Sequence, residues 1–269
     1  MLRKLYYKFS PRGRRFVRRL YFLPNDFISL FCRTKDELVP PKGKTNVGRG
    51  DFIKIGDKFF NDIIDTCNLS ESARILDIGS GIGRIARPFT RFLNSDGEYR
   101  GFDILENEMK WCNKRYADFP AFSFNCYEVK NDLYLPKAKI LADKFVFPYN
   151  DNYYDLAIVI SVFTHLQTAA TTNYFNQIGR ILKKGGFCYA SFFIANSDIK
   201  CELFPYVFDD YCLHNTRVKN ANVAYRNKFI KEIASKSGLE IIQEKKGWWH
   251  QGKPGVGFDF QDILILKKL

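Results

Sequence analysis

The chain has 269 residues, 46% of them hydrophobic, which is enough for one large globular domain with an appendage and excludes a disordered chain. The longest uncharged apolar stretches, such as residues 156–163, fall well short of the roughly 20 residues that a membrane-spanning helix needs. Most of the formal net charge of +13 belongs to the first 50 residues, which hold 13 Lys or Arg against 3 Asp or Glu.

The basic segment at the start, residues 1–46, is expected to be an extension that precedes the main domain. Ser10 is suited to cap a helix that begins at Pro11, and arginines then alternate with apolar residues as far as Phe22, which predicts a short basic amphipathic helix. Residues 1–35 could contact an anionic membrane surface, or they could simply cover the domain and present a solvated face. Nucleic-acid binding is a third and less favoured alternative. Charge alone does not distinguish these alternatives.

The seven cysteines include no C-x-x-C pair and have no histidine at metal-ligand spacing. This usage disfavours both a zinc site and a disulfide framework. We therefore expect no bound metal and a reducing, cytoplasmic compartment, with peripheral membrane attachment as an option of the basic segment.

Residues 47–269 are expected to form the main domain, because short β-rich segments alternate with helical patterns from about residue 50. Such alternation predicts an α/β fold, with a mostly parallel sheet and crossover helices. Helices are predicted at 57–67, 84–93, 107–116, 170–183 and 223–237, and strands at 74–78, 98–104, 122–129, 154–161, 187–194, 239–245 and 259–266. The last two strands leave no room for a crossover helix and are expected to pair as an antiparallel hairpin. Residues 195–222 follow no period and are interpreted as an insert.

The strongest local motif runs from the strand at 74–78 through a glycine turn, Gly79, Gly81 and Gly83, toward a helix. Glycine allows close approach of a ligand and positive φ. A dinucleotide site would need a third glycine where Arg84 stands, and Asp77 would repel a pyrophosphate. A cationic ligand without phosphate, such as S-adenosylmethionine (SAM), fits better.

Three further features follow the glycine turn in order. Asp103 ends the second strand, 20 residues after Gly83; Asp143 precedes the fourth strand; and residues 180–186 form a helix-to-strand turn with two glycines. Together the four features resemble the class I SAM-dependent methyltransferases over residues 48–267. The resemblance implies SAM as cofactor and a seven-stranded sheet in the order 3-2-1-4-5-7-6, with the last strand antiparallel and helices on both faces.

The resemblance also implies which residues would bind SAM. The glycine turn would lie beneath the methionine part, with Asp77 supporting its ammonium group, and Asp103, followed by Ile104, would hold the ribose. Asp143 would accept from the adenine amino group, with the Lys144 N–H near the ring. Ser161, at the end of the fourth strand, would face the methyl group. All of these residues are cofactor-binding by resemblance: Asp77, Gly79, Gly81, Gly83, Asp103, Ile104, Asp143, Lys144 and Ser161.

The methyl acceptor is less constrained, and the residue that would remove its proton is the diagnostic one. The candidate bases are His165, just past the fourth strand, His250, beside two tryptophans, and His214 in the segment 195–222; the first two are favoured, although each could be a structural histidine. Neither a motif for base N-methylation of the Asn/Asp-Pro-Pro-Tyr/Phe type nor a metal-binding set of carboxylates is present. We expect metal-independent O-methylation of a small molecule or a saccharide. The alternatives are an RNA or protein methyltransferase that uses the basic segment, and a SAM-binding protein without activity.

Two further segments are ambiguous. The aromatic and acidic residues of the insert, including Asp209 and Asp210, suit a polyhydroxylated or amine-bearing acceptor, but they could equally form the insert's own core and rim. Residues 47–52, with paired glycines, resemble a lid over the cofactor or are an ordinary turn.

Overall fold

The computed structural model describes residues 10–31, 36–45, 50–195, 203–250 and 257–269, and at residues 11, 12, 15 and 28–31 it describes the backbone only. Half of the expected lid at 47–52, residues 47–49, lies outside the described residues, as does part of the insert. Six helices are assigned in the described residues: α1 (Pro11–Phe31), α2 (Phe52–Cys67), α3 (Ala86–Phe89), α4 (Glu106–Arg115), α5 (Thr168–Ile181) and α6 (Asn227–Lys236).

The strands form two sheets. The main sheet contains β1 (Arg74–Ile78), β2 (Glu98–Asp103), β3 (Phe122–Cys126), β4 (Tyr154–Val159), β5 (Leu182–Phe192), β10 (Leu239–Lys245) and β11 (Asp262–Lys268). The smaller sheet contains β6 (Ile194–Ala195), β7 (Tyr206–Val207), β8 (Tyr211–Leu213) and β9 (Val223–Arg226).

The main sheet has the order β10-β11-β5-β4-β1-β2-β3, which confirms the strand order and the fold class inferred from the sequence. The central pairings β3-β2-β1-β4-β5 are parallel, whereas β11 pairs antiparallel with both β5 and β10. The reversal of strand order between β1 and β4 opens a crevice at their carboxyl ends, which is where open α/β sheets bind ligands.

Two buried clusters cover the two faces of the main sheet. Alternate residues of β1 point to opposite faces, so that Leu76 joins one cluster and Ile75 the other. Helices α5 and α6 contribute to the first cluster, and α2, α3 and α4 contribute to the second. Parallel strands that are buried on both faces need this continuous apolar character.

Two predicted helices are shorter than expected. The helix predicted at 84–93 is confined to α3, a single turn that contains Pro88, whose nitrogen cannot donate a helical hydrogen bond. The helix predicted at 223–237 begins only at Asn227, because residues 223–226 form β9 and are paired between β6 and β8. The sequence interpretation is wrong at both places.

The segment interpreted as an insert contributes most of the smaller sheet, which runs from residue 194 to residue 226 and therefore exceeds the expected range of 195–222. Its own buried cluster combines Phe193, Phe204 and Trp249, whose ring centroids lie 5.1 to 5.5 Å apart. The third of these residues belongs to the 3-10 turn Trp248–His250, so the smaller sheet and this turn form one unit.

The basic extension is attached to the domain by segment 36–45 as well as by α1. Leu38 is buried in the core, and Asp36 accepts from Arg87 at 2.7 Å. Asp26 of α1 accepts hydrogen bonds from the backbone N–H groups of Lys42 and Gly43 at 2.7 and 2.9 Å. Within the described chain, no helix combines the length and the apolarity that crossing a bilayer requires.

Candidate active site

The glycine turn after β1 is held against the end of β2 by backbone hydrogen bonds. The N–H groups of Gly79 and Ser80 both donate to the Phe102 carbonyl, at 2.8 and 3.0 Å. Gly79, Gly81 and Gly83 have φ values of +74°, +53° and +80°, which L side chains rarely adopt. A Cβ on Gly79 would lie 2.3 Å from Cγ2 of Val162, so the turn also passes close to the end of β4.

A group of carboxylates lies at the same edge of the sheet. Asp103 accepts from the Gly81 N–H at 2.9 Å through Oδ2 and from the Leu105 N–H at 3.0 Å through Oδ1. Burial raises the pKa of Asp103 to about 6, against the effect of these N–H donors, and the negative charge of Glu108 raises it further.

Asp77 is buried on β1 and accepts a hydrogen bond of 2.5 Å from the Tyr99 hydroxyl on β2. Burial raises the pKa of Asp77 to about 7; the Tyr99 hydrogen bond lowers it and the charge of Asp103 raises it. These carboxylates therefore repel one another in a poorly solvated place, which a bound cation would relieve.

The loop that carries Asp143 is fixed by helix α5. The side-chain amide of Asn173 donates to the carbonyls of Ala142 and Phe145, both at 2.9 Å. The Phe145 ring lies 6.1 Å from that of Phe102, so this loop borders the end of β2. The Lys144 N–H, which the resemblance assigned to the adenine ring, donates to the Leu141 carbonyl at 3.0 Å, so a contact with adenine would have to share it.

Ser161 follows β4 with φ +59°, a left-handed conformation that is uncommon for a residue other than glycine. Its N–H donates to Ser191 Oγ at 2.7 Å, and its hydroxyl donates to Gln261 Oε1 at 3.0 Å. The Ser191 hydroxyl also donates to Gln261 Oε1, at 2.6 Å. The strained residue is thus held by β5 and by the residue just before β11, as is common where a functional site stores strain.

The two candidate bases have different surroundings. His165 lies in the 3-10 turn Phe163–His165, and its Nδ1 lies 2.9 Å from the Asn220 carbonyl. A carbonyl only accepts, so this nitrogen carries the proton. Burial lowers the pKa of His165, and the carbonyls of Asn220 and Ala221 oppose that effect. These contacts tie His165 to the 3-10 turn Lys219–Ala221, which connects β8 to β9 in the smaller sheet, and they favour a structural role for this histidine.

His250 lies beside a buried carboxylate. Its Nε2 is 3.7 Å from Oδ1 of Asp262, and its Nδ1 is buried and meets no hydrogen-bond partner among the described residues. Asp262 is fully buried and accepts from three N–H donors: Gly247 N at 2.8 Å, Ile194 N at 2.8 Å and Trp249 Nε1 at 2.6 Å. Burial lowers the pKa of His250 and raises that of Asp262, although its three donors favour the carboxylate.

Comparison with known proteins agrees with this geometry. Residues 76–190, which include the glycine turn and the ends of β2 and β4, match the family model described as a methyltransferase domain. This central part of the chain therefore carries a methyltransferase domain. Such a domain implies S-adenosylmethionine as the methyl donor.

Solved structures share the fold of this methyltransferase at low sequence identity. A SAM-dependent methyltransferase from Methanosarcina mazei is 17% identical, with a TM-score of 0.53 over 75% of this chain and 94% of that one. The 1,6-didemethyltoxoflavin-N1-methyltransferase of Burkholderia thailandensis, solved with bound 1,6-didemethyltoxoflavin and S-adenosylhomocysteine, is 12% identical, with a TM-score of 0.53 over 97% of this chain and 91% of that one. The [4+2]-cyclase SpnF is 16% identical, with a TM-score of 0.55 over 83% and 84%. Because one fold hosts different chemistries, these similarities do not define the acceptor.

The donor set of the methyltransferase fits SAM. The sulfonium and ammonium groups are cationic, and the buried Asp77 and the half-buried Asp103 supply the negative charge that such a ligand would offset. Asp103 could accept from ribose hydroxyls through the lone pairs that its two N–H donors leave. Ser161 follows β4 at the same edge of the sheet, and the loop of Asp143 contacts β2 through Phe145 and Phe102. That these residues bind the cofactor stays a prediction.

Sequence reasoning missed the residues that hold these side chains in place: Asn173, Ser191, Gln261 and Asp262. Two polar residues, Gln261 just before β11 and Asp262 at its first position, interrupt the apolar pattern there, and this break is a signal that the sequence offers. Asn173 lies on an ordinary helix, and nothing in the local sequence marks it. Among the described residues, no group of three or more His, Cys, Asp or Glu side chains is arranged to hold a metal ion.

Proposed function

We propose that the methyltransferase modifies a hydroxyl oxygen of a saccharide or another small molecule, and that His250 accepts the hydroxyl proton. One observation carries this proposal: the buried Nδ1 of His250 has no partner among the described residues, while the other ring nitrogen faces Asp262. A buried acceptor atom of this kind needs a donor, and the hydroxyl of an acceptor molecule would be one.

The position of His250 relative to the cofactor crevice supports this role. Gln261, which accepts from Ser161 at the end of β4, is the immediate neighbour of Asp262 at the start of β11. Since β11 runs antiparallel, its start lies at the carboxyl edge of β5, where Asp262 pairs with Phe192. The turn that carries His250 therefore belongs to the edge at which SAM would bind.

Methyl transfer to a hydroxyl oxygen requires a residue that accepts the hydroxyl proton. When bound, SAM supplies a methyl group on a positively charged sulfur, which retains the bonding electrons as a neutral thioether. His250 is neutral before the step because burial lowers its pKa. It takes the hydroxyl proton on Nδ1 as the oxygen forms its bond to carbon, and Asp262 stabilises the resulting imidazolium.

A polyhydroxylated acceptor is supported by the exposed part of the smaller sheet. The rings of Phe208 and Tyr211 are stacked with centroids 4.7 Å apart, at the tip of the β7–β8 hairpin. Asp209 and Asp210 are exposed at the same tip. Aromatic faces beside carboxylates suit a sugar, whose C–H groups contact a ring while its hydroxyls donate to oxygen. Phe204, by contrast, belongs to the buried cluster and does not serve this surface.

The test is transfer of labelled methyl from SAM to a panel of sugars, phenols and amines, with RNA and peptides included. We expect turnover on a hydroxyl acceptor, with His250→Gln losing about 100-fold or more in kcat, as expected for removal of a general base. The matched variant His165→Gln should keep the pH dependence of kcat that the wild type shows. Turnover only on amines or only on RNA, or a full rate in His250→Gln, would contradict the proposal.

A further inference from the structure

Helix α1 presents its apolar side to solvent. Phe16, Val17, Leu20 and Leu23 are 63%, 51%, 54% and 61% exposed, and they follow one another at the spacing of a single helical face. We call these four residues the apolar stripe. Large exposed side chains are ordinary when they are scattered, but a contiguous group of them marks an interaction site.

The opposite side of α1 is polar and faces the domain. Arg14 is buried and donates to the Leu133 carbonyl at 2.5 Å. The Arg18 guanidinium lies over the Phe22 ring, 4.9 Å from its centroid, and Asp26 holds the 3-10 turn Lys42–Lys44. The orientation is therefore the reverse of a helix that merely caps a core, which would bury its apolar side.

We infer that the apolar stripe docks on an anionic lipid bilayer and enters its interface. Charge complementarity favours this partner: the first 50 residues hold 13 Lys or Arg against 3 Asp or Glu. The one acidic residue of α1, Asp26, is hydrogen-bonded on the inner side, while Arg19 is exposed near the stripe. Apolar side chains flanked by cations are typical of helices that lie in the plane of an anionic membrane surface.

Other partners fit less well. A second copy of the chain would bring two strongly basic segments together, which is unfavourable when no acidic group faces them. Nucleic acid would use the cations but would leave the apolar stripe in water, because phosphate contacts are polar. Only the bilayer uses both features.

A hydrogen-bonded path joins α1 to the acceptor side of the domain. Arg14 donates to the Leu133 carbonyl, the Leu133 N–H donates to Asn131 Oδ1 at 3.0 Å, and the Asn131 amide donates to the His165 carbonyl at 3.0 Å. The surface that would meet lipid is thus tied to the turn that follows β4. A bilayer-bound enzyme would meet acceptors that are attached to lipid or held near its surface.

The test is co-sedimentation of the full-length protein with vesicles of phosphatidylcholine, alone or mixed with phosphatidylglycerol. The double variant Phe16→Gln/Leu20→Gln removes half of the stripe without changing charge. Its matched control, Ile242→Gln/Leu269→Gln, removes two side chains that are exposed elsewhere, at 44% and 63%. Circular dichroism checks that each variant is folded, and light scattering reports its oligomeric state.

We expect binding to the anionic vesicles that weakens with added salt. It should be at least about tenfold weaker in the stripe variant, because each buried apolar side chain contributes that much or more, and unchanged in the control. Equal sedimentation of the stripe variant, or no binding of the wild type, would overturn the inference. A wild-type dimer that dissociates in the stripe variant and ignores vesicles would show that a second copy covers the stripe. These readouts do not depend on methyl transfer, so they can fail separately from the proposed function.

Discussion

At the scale of single residues, the buried carboxylates make cofactor binding depend on pH. The pKa values of Asp103 and Asp77, raised to about 6 and about 7, mean that the folded protein holds protons that the unfolded chain has released. The free energy of unfolding of the protein without cofactor should therefore fall as the pH rises through this range. A cationic ligand needs the ionised forms of these two carboxyl groups, so the affinity for SAM should rise with pH over the same interval. At lower pH, where the carboxyl groups are protonated, SAM binding should release protons.

Tyr99 provides the matched test of this pH dependence. Its hydroxyl lowers the pKa of Asp77, so Tyr99→Phe should move the midpoint of the affinity curve to higher pH. Titration calorimetry with SAM at several pH values, in buffers of different ionisation enthalpy, measures both quantities. SAM affinity that does not vary between acidic and neutral pH would contradict this assignment of charge.

Gly79 and Gly185 separate two costs of an added methyl group. Both have φ near +80°, but a Cβ at Gly185 would meet nothing within 4 Å, whereas one at Gly79 would lie 2.3 Å from Val162. Gly185→Ala should lower the free energy of unfolding by about 1 to 2 kcal/mol, the cost of the left-handed conformation. Gly79→Ala should cost more and should also weaken SAM binding. Urea unfolding of both variants measures the difference. Equal losses in the free energy of unfolding would show that the Val162 side chain moves aside without an energetic penalty.

At the scale of elements, Asp262, the first residue of β11, joins β6 to the Trp248–His250 turn. Asp262→Asn keeps the shape of the side chain but replaces one acceptor oxygen with a donor that would face N–H groups. We expect the free energy of unfolding to fall by about 2 to 4 kcal/mol, because buried N–H groups lose a charged acceptor. Urea unfolding should show no change for Asp209→Asn, which is exposed. An unchanged urea midpoint for Asp262→Asn would contradict a stabilising role for the hydrogen bonds that Asp262 accepts.

The type and the bounds of a helix or strand could be predicted from the sequence where a local residue pattern determines them. Strands β1 and β10 have the predicted bounds because an apolar run ends at clear turn residues. The residues of β9 predict the start of a helix, because their apolar positions continue into the helical spacing of α6. Only pairing with the distant β6 and β8 makes this segment a strand. Asn173 and Gln261 act across 28 to 100 residues, and no local pattern encodes such contacts.

At the scale of the whole molecule, the sheet order could be predicted but the orientation of the basic helix could not. Alternation of strands and helices predicts a mostly parallel sheet, and the family resemblance implies the strand order. The periodicity of α1 predicts two faces, yet it does not say which face meets the domain. That choice depends on the carbonyl of Leu133 and on segment 36–45, which become neighbours of α1 only in the folded chain.

The most direct test of the account is titration calorimetry of the purified protein with SAM and with S-adenosylhomocysteine. The measurement is repeated on Asp103→Ala and on the exposed control Asp96→Ala, after thermal melting has shown that both are folded. We predict binding in the micromolar range for the wild type and the control, and loss of at least about tenfold in Asp103→Ala, where a charged acceptor of the ribose is removed. Wild-type binding that survives in Asp103→Ala, or no binding to the wild type at all, would contradict the placement of the cofactor at the ends of β1 and β2.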